Sequence, residues 1–361
     1  MNRTAQLRKI GQSLWLDNIT RDLLTSGTLE RYIADLSVTG LTSNPSIYDK
    51  AIGGTSAYDE SIQRLAAAGS DRESIFFELA LDDLSRAADL FLPINQRTSG
   101  VDGFVSLEVS PLLANDAATT VSEARRLHGR AGRPNLFIKI PGTAAGLEAI
   151  EATVFAGVPV NVTLLFSVEQ YLAAAEAYTK AIERRVEAGL DPYVASVASV
   201  FVSRWDGPLA GDLPPDLHLE LGLAMSRKTF AAYRALTESD RWQRLLNEGA
   251  RPQRLLWAST GTKDPNASDV LYVEALAAAL TVNTMPDETL RAFADHGTIS
   301  GTLSAGPDPK NDALIGRFEA AGVDIADLSR RLQEQGVAAF ASAWQSLLSR
   351  IEEKAAVFSV R

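Results

Sequence analysis

The chain has 361 residues, 46% hydrophobic and 22% charged, with no cysteine and a formal net charge of -10. That length suits one large α/β domain, and the missing cysteines exclude disulfides, thiolate nucleophiles and cysteine metal sites, which fits a reducing compartment. The acidic balance argues against a nucleic-acid partner and requires any small anionic substrate to be met by local Arg or Lys groups. In chain order, the N-terminal MNRTAQLRKIGQSLWL lacks the apolar core of a signal peptide, and no apolar run reaches the length of a membrane span. A cytoplasmic location is expected.

Short apolar runs predict eight strands, at 13–19, 39–44, 103–109, 136–140, 158–165, 197–203, 254–259 and 280–285. Helical patterns at 61–68, 74–92, 117–129, 144–155, 168–187, 219–236 and 287–294 lie between them. This alternation predicts parallel pairing, and eight strands predict closure into a (β/α)8 TIM barrel. An open doubly wound sheet is the alternative, but no G-x-G-x-x-G follows any of the runs. A Gly/Pro-rich stretch at 297–309 predicts a connection, with helices after it at 312–321 and 324–357. Leu328, Leu332, Phe340, Trp344, Leu347 and Ile351 give the second helix an apolar stripe that docks on the barrel. Residues 1–361 are therefore expected to form one domain, with 310–361 as a helical segment packed on the barrel.

Strands buried on both faces should be almost continuously apolar. Several of these break that rule with a period of two. Asn161 and Thr163 share a face, as do Ser106, Glu108 and Ser110; Ser199 shares one with Phe201, and Asp17 with Trp15. Thr42 and Asn44 end the second run. Lys139 interrupts the apolar run 136–140, where it is either an edge-strand lysine snorkelling to water or a buried amine. One such residue is readily a satisfied core polar group. Five strands that agree place a lysine, carboxylates, asparagines and hydroxyls at the C-terminal end of the barrel, where barrel enzymes keep their active sites.

Carbonyl chemistry fits this set. Desolvation favours a neutral amine, which attacks ketones to form a Schiff base, an electron sink for C–C cleavage. Asp17 or Glu108 can move the protons, Asn44 and Asn161 can hold hydroxyls, and Thr163 can position a water. His128, His218 and His296 form no ligand pair in the sequence, so no metal site is expected. Neither a G-x-S-x-G elbow nor a phosphate loop of the G-x-x-x-x-G-K-[ST] type is present.

Five segments in this order resemble the transaldolase family: residues 40–46 (GLTSNPS), 137–142 (FIKIPG), 161–166 (NVTLLF), 199–204 (SVFVSR) and 258–263 (ASTGTK). The resemblance runs from about residue 10 to the C-terminus and is to the longer bacterial members. It implies a Schiff-base aldolase barrel that transfers a dihydroxyacetone unit from sedoheptulose 7-phosphate to glyceraldehyde 3-phosphate. Erythrose 4-phosphate and fructose 6-phosphate are the implied products, in the non-oxidative pentose phosphate branch, with no organic cofactor or metal. By the same resemblance Lys139 is the Schiff-base lysine and Asp17 the acid/base carboxylate. Glu108 and Thr163 handle the catalytic water, Asn44 and Asn161 bind substrate hydroxyls, and Ser199 and Phe201 line the substrate site. Arg204 and Ser259 match phosphate ligands. The family also implies a monomer or a homodimer.

One departure stands out. Shorter members have Ser-Phe-Arg where this chain has Ser259-Thr260-Gly261, so a second phosphate arginine is missing. Lys263, two residues on, can supply the charge, though without an arginine's two-pronged geometry. Two other functions are compatible with parts of the pattern. Same-fold aldolases that cleave fructose 6-phosphate and release free dihydroxyacetone are shorter and carry tyrosine where this chain has Phe201. A sugar-phosphate binding protein without catalysis has no need of the lysine and its carboxylates.

Overall fold

The computed structural model describes residues 3–209 and 213–359. Eight strands run in order: β1 (Ser13–Leu16), β2 (Gly40–Leu41), β3 (Val105–Glu108), β4 (Leu136–Pro141), β5 (Val160–Leu165), β6 (Ser196–Phe201), β7 (Arg254–Ala258) and β8 (Thr281–Met285). Each pairs in parallel with the next, and β8 pairs with β1 to close the ring. The expected (β/α)8 barrel is formed, and closure rules out the open doubly wound sheet.

Closure also sorts the side chains. Leu107, Ile138, Ile140, Val160 and Val162 belong to the apolar layer between strands and helices. Trp15, Phe104, Phe137, Val197, Leu256 and Val282 fill the interior of the ring. Phe137 stacks on Phe104 with centroids 4.2 Å apart, and Trp15 lies 6.1 Å from Phe137. These rings make a solid floor beneath the polar residues, which lie one layer further along the same strands.

Several strands stop earlier than their apolar runs suggest. β1 ends at Leu16 and not at residue 19, β2 at Leu41 and not at 44, and β6 at Phe201 and not at 203. The released residues become caps and turns. Asn44 caps the helix Pro45–Gly54 by accepting from Ile47 N at 3.1 Å, with Pro45 in its first turn. Ser203–Trp205 forms a single 3-10 turn.

The helices at 144–155 and 168–187 coincide with expectation, the latter opened by a Ser167–Gln170 capping box. Helix Arg72–Arg97 continues through Pro93, where the pattern suggests a stop at 92. Six helices without a readable pattern also form: Arg3–Lys9, Arg21–Thr25, Thr28–Asp35, Pro45–Gly54, Asp240–Asn247 and Leu271–Ala275. All have ten residues or fewer, a length at which the 3.6-residue period repeats too few times to show in every helix.

The last helix, Ile325–Ser359, decides how open the barrel is. Its stripe from Leu328 to Ile351 is buried, with Trp344 against Phe76 and Phe77. Gln333 Nε2 donates to Gly142 O at 3.1 Å and to Leu164 O at 3.0 Å, which ties the helix to the C-terminal ends of β4 and β5. It therefore crosses the C-terminal mouth of the barrel. Among the described residues, no helix is long and apolar enough to cross a membrane.

Candidate active site

Lys139 occupies β4 with Glu108 of β3 and Asn161 of β5 as its register partners. It is 5% exposed, and a closed barrel has no edge strand from which to snorkel. Its Nζ donates to Ser43 O at 3.1 Å and stands 4.0 Å from Glu108 Oε1. The Phe340 ring from the last helix lies 5.6 Å away, over the ammonium. A buried amine therefore has one carbonyl, one carboxylate and an aromatic face as its near surroundings.

Two hydrogen-bonded groups flank it. Thr42 Oγ1 donates to Asp17 Oδ1 at 2.7 Å and lies 2.7 Å from Thr284 Oγ1, so β1, β2 and β8 fix the Asp17 carboxylate just past the end of β1. On the other side Asn161 Nδ2 donates to Ser106 Oγ at 3.0 Å, and Ser199 Oγ donates to Asn161 Oδ1 at 2.7 Å. Three strands thus hold the Asn161 amide in one orientation. Glu108 Oε2 and Thr163 Oγ1 are buried without a hydrogen-bond partner. Both atoms are therefore free to bond a group placed between them.

The electrostatics separate the two carboxylates. Burial pushes Glu108 up to about 7, with Lys139 opposing the shift and Asp17 adding to it. Burial also raises Asp17, but Lys139, the Thr42 hydroxyl and Arg204 all pull it back. Burial therefore pushes both carboxylates toward the neutral form, opposed at Glu108 by Lys139 alone and at Asp17 by Lys139, Thr42 and Arg204.

Arg204 follows β6, half-buried, with its Cζ 5.1 Å from the Phe201 centroid and 6.0 Å from that of Phe340. Burial lowers its pKa and Asp17 raises it. Among the described residues no carboxylate lies within 4.0 Å of it, so the guanidinium can still take an anion. Ser259, in the left-handed region at φ 56°, is joined to the same turn: Ser203 N donates to its carbonyl at 3.1 Å, and the two hydroxyls are 3.0 Å apart. Lys263 lies on the exposed loop after β7, and its neighbour Asp264 pairs with His218. Phe201 is buried against Phe166, centroids 5.5 Å apart. Asn44 is half-buried beside Ser43, its Oδ1 committed to the helix cap. Among the described residues, no three His, Asp or Glu side chains gather as metal ligands.

A family model described as transaldolase/fructose-6-phosphate aldolase matches residues 14–351. The chain belongs to this family. It is similar to a protein named transaldolase from Thermobifida fusca (strain YX), 44% identical over 97% of this chain and 98% of that one. A transaldolase of Mycolicibacterium smegmatis is 44% identical over 95% of each chain. One of Thiobacillus denitrificans is 42% identical over 97% of this chain and 100% of its own.

Beside the residues expected of this family, the site contains groups that the sequence does not advertise. The Ser43 carbonyl receives Lys139, and a backbone atom carries no residue-type signal. Phe340 was readable only as part of an apolar stripe. Its place over Lys139 depends on where the last helix crosses the mouth. Thr284 supports Thr42 from β8.

Proposed function

We propose that this chain is a cytoplasmic transaldolase of the non-oxidative pentose phosphate branch, acting on sugar phosphates as a monomer or a homodimer. It moves a dihydroxyacetone unit from sedoheptulose 7-phosphate to glyceraldehyde 3-phosphate, giving erythrose 4-phosphate and fructose 6-phosphate. The observation that carries this reading is a buried Lys139 whose register neighbour is a carboxylate titrating near 7.

In the reaction, Lys139 Nζ passes a proton to the Glu108 carboxylate and adds as the neutral amine to the C2 ketone of the donor. The carbinolamine loses water to form the iminium, with Glu108 relaying protons through a water held by Thr163. Asp17 takes the proton of the C4 hydroxyl, the C3–C4 bond breaks, and its electron pair passes into the iminium to leave an enamine. The aldose phosphate departs. The enamine carbon then attacks the acceptor aldehyde, Asp17 returns the proton to the new hydroxyl, and water releases the ketose and the amine. Asn44, Asn161 and Ser199 orient hydroxyls, while Arg204 and Ser259 hold the phosphate.

The test is to supply fructose 6-phosphate with and without erythrose 4-phosphate. Sedoheptulose 7-phosphate, formed only when the acceptor is present, is the expected product. Free dihydroxyacetone as the main product would instead support the fructose 6-phosphate aldolase reading, and no turnover by folded protein would support a binder. Phe201 favours transfer, because an apolar ring keeps water from the bound three-carbon unit. A Phe201→Tyr variant is expected to release more free dihydroxyacetone per transfer event, since a phenol hydroxyl can hold a water there. An unchanged ratio would leave Phe201 a packing residue only.

Lys263 supplies a second charge to the phosphate. Lys263→Ala is expected to lower kcat/KM about 10-fold or more for glyceraldehyde 3-phosphate while barely affecting unphosphorylated glyceraldehyde. Equal losses for both acceptors would point to a folding effect, and no loss would leave Arg204 to hold the phosphate without it.

A further inference from the structure

A cavity of about 1060 Å³ opens at the other end of the barrel, lined by Ser13, Ser196 and Arg254, the first residues of β1, β6 and β7. Phe137 and Val197 form part of its lining and stand two residues before Lys139 and Ser199 on the same strands. The aromatic floor therefore separates this chamber from the candidate active site. Its volume is at the upper end of small-molecule sites, roughly 300–1,000 Å³. The N-terminal face of such barrels usually carries stability and not chemistry, so a chamber here calls for an explanation.

Its chemistry is selective. Five arginines line it, Arg8, Arg97, Arg234, Arg251 and Arg254, against two carboxylates, Asp102 and Glu238. Of the five, Arg234 pairs with Glu238. Arg254 is held by Val101 O, Ser13 Oγ and Thr281 O, and Arg251 lies over the Tyr193 ring at 5.1 Å. Asp102 is committed to Ser13 Oγ, Trp15 Nε1 and Gly103 N. In a chain of net charge -10, this mouth is a local positive field. Tyr178 and Tyr233 are buried, bonded to backbone carbonyls through their hydroxyls and packed on Trp242 and Phe230, so the exposed apolar wall is made by Val101, Leu246 and Leu280. Gln12, 1% exposed, donates from Nε2 to Leu276 O and Thr281 Oγ1, while its Oε1 has no partner. That acceptor is free to take a donor from outside the chain.

We propose that this chamber is a second binding site, distinct from the catalytic one, for a flat organic anion that carries an N–H or O–H donor. The acid group meets the arginines at the rim, the ring lies against the apolar wall of Val101, Leu246 and Leu280, and the donor satisfies Gln12 Oε1. The dye 8-anilinonaphthalene-1-sulfonate has all three features and is the probe. Titrated into the intact protein, its fluorescence should saturate at one dye per chain, unchanged by excess fructose 6-phosphate or by Lys139→Met. The neutral analogue N-phenyl-1-naphthylamine should bind about tenfold more weakly or worse. The double variant Arg97→Glu/Arg251→Glu changes two exposed residues away from Lys139. It should weaken the dye by about tenfold or more, bring dye and neutral analogue to similar affinity, and leave basal transfer activity unchanged. Binding that does not saturate, that is equal in the double variant, or that is lost with Lys139→Met would overturn the proposal.

Discussion

Lys139→Met will abolish transfer, with kcat lowered roughly 10^4- to 10^6-fold, the scale on which removing a covalent nucleophile acts. Methionine matches the length of the stem and is at home in an apolar interior, so the barrel is expected to fold. Removing one partner of a buried pair normally costs stability, but the Glu108 carboxyl, already pushed up to about 7, can take a proton and leave no bare charge behind. The variant loses the bond to Ser43 O and the cation beside Glu108, whose pKa then rises further. Trapping separates loss of chemistry from loss of binding. Parent enzyme incubated with fructose 6-phosphate and borohydride should gain a reduced three- or six-carbon adduct on the peptide that contains Lys139. The variant should gain none. An adduct on any other lysine, or turnover retained by the variant, would sink the Schiff-base assignment.

The parts of this molecule that were legible in the sequence are those written as periodicity. Eight apolar runs predicted the barrel because each strand must hide both faces, and closure left none at an edge. The polar residues at alternate positions, Glu108, Lys139, Asn161 and Ser199, were readable as one inward set for the same reason, and adjacent strands bring them together. Asp17 and Asn44 were placed on strands but stand beyond them, since a cap and a turn look locally like strand ends. What was not legible depends on contacts between distant segments. Phe340 lies 201 positions after Lys139 by number (340 minus 139), and nothing periodic links them. The chamber at the opposite mouth gathers residues from Arg8 to Leu280, one or a few from each loop, without any motif. Lys263 is identifiable as a loop cation, but where its side chain reaches depends on loop conformation, which no residue pattern encodes.

The second large effect concerns Glu108, and it has a pH signature. Glu108→Gln keeps the shape of the side chain and removes its proton chemistry. It is expected to lower kcat/KM about 10^2- to 10^4-fold, the usual worth of a general acid–base group. In the parent, kcat/KM should rise through about pH 7 as the carboxyl ionises, and the variant should lose that limb. Stability moves the other way. The folded-state pKa lies above the ordinary glutamate value of 4.5, so folded protein keeps a proton that the unfolded chain releases between pH 4.5 and about 7. The contribution is fully present below pH 4.5 and is lost as pH rises through about 7, a change of about 3 kcal/mol. Denaturant unfolding at pH 4.5 and pH 8 should therefore show a smaller pH difference in the variant than in the parent by that amount. Because Glu108 is 6% exposed, salt should screen the difference little. An acid limb near pH 7 that survives in Glu108→Gln would assign the titration to another group and take the proton relay away from Glu108.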